Sequence, residues 1–132
     1  MPRPDYRHHF LEGVAHFNAR RFWEAHESWE ELWLAAETDV EQFLQGLIQL
    51  AAAYHHIQRG TFRGAPRLID AALRRLSAFP HIFSGVDRSL AEACATRDRA
   101  RAVREERLDA SEFPTLALTP ENESRIPPCD EW

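Results

Sequence analysis

Phe10, Leu11, Val14 and Phe17 fall at three- and four-residue spacing. That is the period with which a helix buries one stripe of side chains, so a first helix is predicted over residues 5–17. Asn18 to Arg21 interrupt the pattern and residues 22–36 resume it, which places a tight turn near Asn18 and sets helices one and two antiparallel. Thr38 followed by Glu41 has the spacing of a capping box, in which hydroxyl and carboxylate satisfy free backbone N–H groups, so helix three starts there. Its pattern runs to Arg59 and stops at Gly60, a residue suited to the left-handed conformation of helix ends. Beyond the turn at 60–64, Ala65, Leu68, Ile69, Ala72, Leu73 and Leu76 form a fourth stripe, and Pro66 is tolerable only in its first turn. Pro80 and Gly85 bracket a short connector, after which residues 87–107 have helical propensity with Leu90, Ala91, Cys94 and Val103 turned inward. The prediction is an all-α antiparallel helical bundle of about five helices over 1–107. From Leu108 the chain carries four prolines and six acids, so 108–132 reads as an extended acidic tail, packed on or trailing from the bundle. Phe113, Leu116 and Leu118 are its expected tethers.

Two helices depart from ordinary amphipathic patterning. Projected at about 100° per residue, helix two gathers Phe22, Ala25, His26, Trp29, Leu32, Trp33 and Ala36 on one face, which sets a histidine inside an aromatic stripe. Glu30 lies one turn above His26 at the edge of that face, and Glu27 lies farther round beside Trp23 and Leu34. In helix three no charged residue occurs between Glu41 and Arg59, a gap of seventeen residues that predicts a central, surrounded helix. Gln45, Gln49 and His56 share a polar stripe on it, with His55 beside an apolar face. A buried polar stripe needs partners, and the nearest candidates are His26, Glu27 and Glu30 of the neighbouring helix.

Those residue types are suited to two kinds of chemistry. A carboxylate beside an imidazole can orient a general acid or base, or hold a divalent transition metal, with His26, Glu30 and His56 as the candidate ligands. The segment His26 to Glu30 resembles half of a zinc-protease helix, but that motif needs a second histidine where this chain has Glu30, so the protease reading fails. The competing reading is a hydrogen-bonded network that fixes helix register without chemistry. His8, His9, His16 and His81 lie near a terminus or helix ends and read as surface residues.

Composition narrows the rest. At 132 residues and 44% hydrophobic content, with four tryptophans, the chain can bury one core. All sixteen basic residues are arginine, which excludes lysine Schiff bases and a Walker lysine. The net charge of −5 hides an uneven distribution: five Arg against nine acids over 1–60, ten against six over 61–107, one against six over 108–132. An overall acidic chain argues against nucleic acid as a partner. Cys94 and Cys129 have neither disulfide-framework nor zinc-knuckle spacing and read as free thiols. With no signal-like N-terminus and no apolar run of membrane-spanning length, the expectation is a cytoplasmic protein with no membrane contact. Trp23 and Leu34 widen the apolar arc of helix two, which suits packing on another helix or a homodimer contact.

The run Phe17-Asn18 through Phe22-Trp23-Glu24-Ala25-His26-Glu27-Ser28-Trp29-Glu30-Glu31-Leu32-Trp33 resembles a motif of the domain of unknown function 309 family. Phe43-Leu44-Gln45-Gly46-Leu47-Ile48-Gln49-Leu50, followed by His55-His56, Arg59-Gly60 and Arg63-Gly64-Ala65, is similar to that family's second motif. The resemblance covers residues 17 to about 76. It implies a compact helical bundle, and it carries over to His26, Glu27, Glu30, Trp33, Gln45, Gly46 and Gln49, with either His55 or His56 as the helix-three histidine. Thr61 stands where the family often has asparagine, and it still offers a capping oxygen. No reaction is implied, and the sequence leaves open whether the chain is an enzyme. The expectation is a metal- or small-molecule-binding site between helices two and three, against a structural or protein-interaction module.

Overall fold

The computed structural model describes residues 4–118. Five helices follow the apolar stripes closely: α1 (Tyr6–Asn18), α2 (Phe22–Ala35), α3 (Asp39–Arg59), α4 (Ala65–Leu76) and α5 (Ser89–Val103). Their ends follow local chemistry. The Asp5 carboxylate accepts from the His8 N–H at 3.3 Å, and the Thr38 hydroxyl accepts from the Val40 N–H at 3.2 Å. Gly60 ends α3 in the left-handed region at φ 76°, and Pro66 sits in the first turn of α4.

α3 is the central element, packed on α2 and on α4, and eleven of its residues are buried. Its core neighbours are large. Phe17 meets Phe22 edge-on with centroids 5.1 Å apart, Phe22 meets Tyr54 at 5.6 Å, and Trp29 lies 6.0 Å from Phe17. The Trp29 indole N–H donates to the Phe10 carbonyl at 3.2 Å, so the one polar atom of that buried ring is satisfied. α1 comes close enough that a Cβ on Gly13 would stand 2.2 Å from Trp29 Nε1.

The C-terminal third differs from expectation in two respects. The connector after α4 is a hairpin, β1 (Ile82–Phe83) and β2 (Val86–Asp87), and the returning chain adds β3 (Ala117–Leu118) antiparallel to β2. Ser84 and Gly85 both have positive φ, 54° and 77°, the geometry of a two-residue turn whose twist matches paired strands. Asn18 anchors the return from both sides, donating to the Leu116 carbonyl at 2.9 Å and accepting from the Leu116 N–H at 2.7 Å. The tethers Phe113, Leu116 and Leu118 all pack against the core. The expected extended tail is thus a docked segment up to residue 118, and its remainder lies outside the described residues, as does Cys129.

The second difference is the facing of α5. Leu90 and Val103, expected inside, are 60% and 61% exposed, while Ala91, Ala95, Asp98 and Ala102 are buried. Small residues let α5 lie close against α4, and the one polar position, Asp98, is satisfied in place. It accepts from the Tyr54 hydroxyl at 2.7 Å and from Arg97 Nε at 2.8 Å. Arg88 is also fully buried, with Nη2 donating to the Leu76 and Phe79 carbonyls, Nε donating to Glu92, and its guanidinium 5.4 Å from the Phe43 ring centre.

Candidate functional site

The residues singled out on α2 and α3 separate into two groups. The buried face of α2 is Phe22, Ala25, Ser28, Trp29 and Leu32, so His26 stands at its rim with 18% of its side chain exposed. Ser28 takes the interior place instead and donates to Glu12 at 3.1 Å. His26 lies flat on Trp23, ring centres 4.6 Å apart at 7°, and Trp23 in turn meets His55 of α3 at 5.2 Å. Four rings, His26, Trp23, His55 and His56, thus follow one another across the α2–α3 seam, the last pair 5.8 Å apart. Trp23 remains 46% exposed beside His55, and Leu34, three turns along the same outer ridge, is 73% exposed.

His26 Nδ1 lies 3.5 Å from Glu30 Oε2 without hydrogen-bond geometry, which leaves a buried ring nitrogen with no hydrogen-bond partner. Glu30 is half exposed and Glu27 exposed. His55, not His56, faces α2. The His56 ring pairs with the Thr61 hydroxyl, Nδ1 to Oγ1 at 3.0 Å, and Thr61 donates back to the His56 carbonyl, so these two residues close the end of α3. The expected ligand set His26, Glu30 and His56 is therefore not assembled. Among the described residues no group of three or more His, Cys, Asp or Glu side chains is placed to hold a metal ion.

The glutamines turn the other way. Gln49 accepts from Arg75 Nε of α4 at 3.2 Å, and Gln42 accepts from the same guanidinium at Nη1. Gln45 lies half-buried on the same stripe. Gly46 explains the direction: a Cβ there would stand 2.8 Å from Leu76 Cγ, so the stripe that carries the glutamines is the one α4 settles onto. The expected contact of Gln49 with His26, Glu27 and Glu30 gives way to a contact of Gln42 and Gln49 with Arg75 across α3 and α4. Equal helical spacing marks which residues share a face but not which neighbour the face meets.

What remains on the α2–α3 side is an open groove of ≈ 390 Å³ lined by Trp23, Glu24, His55 and Arg59. Burial, and then the positive fields of His56 and Arg59, hold the His55 imidazole below its ordinary value against the opposing pull of Glu24. At neutral pH it is an uncharged ring, able to donate from one nitrogen and accept at the other. Arg59 supplies a planar donor and Glu24 an acceptor at the rim of the same groove. The arrangement offers an aromatic surface with a donor and an acceptor beside it. Sequence reasoning named His26 and His55 but missed Glu24 and Arg59, which read as ordinary helix-surface charges. The signal that could have found them is their place beside Trp23 and His55.

Residues 10–68 match a family described as Domain of unknown function (DUF309). The matched stretch runs from α1 into α4 and contains both motifs and every residue of the groove. No curated protein matches the chain. Among the described residues no helix is long and apolar enough to cross a membrane.

Proposed function

We propose, from the premise that residues 10–68 belong to the domain of unknown function 309 family, that the chain binds a small organic molecule in the α2–α3 groove. The ligand class is a planar heteroaromatic ring carrying a neutral amide-like edge. The observation that carries this reading is the half-exposed Trp23 ring, fixed by the stacked His26 and bordered by His55, Glu24 and Arg59. A fixed aromatic face gives contact area with little ordering entropy, and a few convergent polar groups set orientation. An amide edge matches the rim, its N–H group toward Glu24 and its carbonyl toward Arg59. A metal has no part in this reading. A cytoplasmic setting belongs to it, supported by the free thiol of Cys94, as does an acidic chain that takes no nucleic acid.

The test is a titration of the purified protein with nicotinamide, followed through the indole N–H resonance of Trp23 and the ring resonances of His55. Saturable shifts confined to these two groups are expected, lost in Trp23→Ala and weakened in Arg59→Gln. Absence of saturation at millimolar ligand with nicotinamide, and with indole as a second probe, overturns the reading. A second reading, a module whose polar contacts only set helix register, is favoured by the Arg75 contacts with Gln42 and Gln49. The exposed Trp23 and Leu34 ridge is the surface a homodimer would use, and sedimentation at rising concentration reports it.

A further inference from the structure

Arg75 is held unusually for this chain. Arg88, Arg97, Arg99, Arg101 and Arg104 each contact a carboxylate at 2.6–3.5 Å. Arg75 is oriented by two side-chain amides instead, with Nε on Gln49 and Nη1 on Gln42. Neutral acceptors fix the plane of a guanidinium without cancelling its charge. The backbone beneath it is fixed as well, because Gly46 lets Arg75 Cβ and Leu76 sit directly on α3, at 3.4 Å and 2.8 Å from where a Cβ would be. Among the described residues no carboxylate lies within ion-pair distance of Arg75 or of the exposed Arg74 next to it.

Both guanidinium groups line a cleft of ≈ 470 Å³ between the start of α3 and the end of α4. Phe79 and Ala78 are its apolar lining, and Gln42 and Asp39 line it as well. Two cations without a contact ion pair among the described residues, one of them pre-oriented, beside an aromatic wall select an anionic head on an apolar body, although Arg74 also feels the field of Asp70. Asp39 disfavours a second negative group on the same ligand, since like charges at close range repel. We propose that this cleft binds the single oxyanion of a small organic acid, a phosphate monoester or a carboxylate, with its head on Arg74 and Arg75 and its body against Phe79. The proposal does not rest on the α2–α3 groove, and the two sites share no lining residue.

Calorimetric titration of the purified protein with phenyl phosphate, benzoate and inorganic phosphate tests it. Phenyl phosphate is expected to bind more tightly than inorganic phosphate, and comparison with benzoate tells whether the head is a phosphate or any oxyanion. Arg75→Lys keeps the charge but loses the planar fork and is expected to weaken phenyl phosphate by about tenfold, the size of one charge-assisted hydrogen bond. Arg74→Gln changes an exposed side chain without touching the core, so a loss of about fivefold there reports charge rather than misfolding. Raising the salt concentration should weaken binding in parallel. No saturable binding of either organic anion at about 10 mM, or unchanged affinity in both arginine variants with native helicity, overturns the proposal.

Discussion

The two halves of this bundle are held together by different forces. Around α1, α2 and α3 the interior is made of Phe10, Phe17, Phe22, Trp29, Phe43 and Tyr54, whose large buried area and edge-to-face contacts supply stability with few polar atoms to satisfy. Around α5 the interior is Ala91, Ala95 and Ala102, with an aspartate and an arginine set among them. Alanines bury little area, so α5 relies more on a few hydrogen bonds, while the hairpin docks through Phe83 on Phe43 and Phe79 and through the buried Val86. Arg88 fastens the end of α4, Asp98 ties α5 to Tyr54, and Arg99 grips Asp70 through two contacts of 2.6 Å and 2.9 Å. One half rests on buried aromatic area, and the other adds buried hydrogen bonds at Arg88 and Asp98 to smaller side chains.

The sharpest way to break this contrast is in the aromatic half. Trp29→Ala removes a fully buried ring that sits against Gly13 and Phe17, and is expected to cost about 3–5 kcal/mol in denaturant unfolding. The expected loss is global, with all helices melting together. A loss under about 1 kcal/mol would mean that the two halves do not differ as described.

The next effect lies in the polar half. Asp98→Ala leaves the Tyr54 hydroxyl buried without its acceptor, and is expected to cost about 1–3 kcal/mol. Burial and the neighbouring carboxylate both keep that hydroxyl protonated, so it remains a donor in need of a partner. Hydrogen exchange should show the damage concentrated in α5 and the docked segment around Phe113, which also touches Tyr54. Uniform loss of protection across α1 to α3 would contradict a separately fastened C-terminal half.

The same division decides what could be read in the chain. Helices α1 to α4 were legible because large apolar side chains report their period, and caps such as Thr38 and Gly60 mark the ends. α5 was legible as a helix but not in its facing, because Leu90 and Val103 outweigh alanines in any apolar projection and a buried Asp98 looks like a surface charge. The β1–β2 hairpin hid in strands of two residues each, too short for an alternating pattern to register. At the α2–α3 seam the sequence picked out His26 but left His55 and His56 as alternatives, with His56 in the candidate ligand set, and it sent Gln49 toward α2 where the structure turns it to Arg75 of α4. The distance between Gly46 and Leu76 determines that choice, and it is a property of three helices together.

The smallest expected effect tests the seam itself. The His55 imidazole is held below its ordinary value near 6.5, chiefly by burial and then by His56 and Arg59. The folded state therefore binds a proton less readily than the unfolded chain does. Stability from this residue is fully present above about pH 6.5. It declines as the pH falls below that value, and levels off once the pH has passed the depressed folded value. Because His55 is half-buried and its groove is open, the decline should be modest. A ring-resonance titration should give a midpoint below 6.5 for His55 in the native protein. The denaturation midpoint of His55→Gln should fall less steeply between pH 7 and pH 5 than that of the parent chain. A native titration at or above 6.5 would show that the seam does not hold His55 below its ordinary value, and one above about 7 would remove the contrast between an uncharged His55 in the α2–α3 seam and the cationic cleft across α3 and α4.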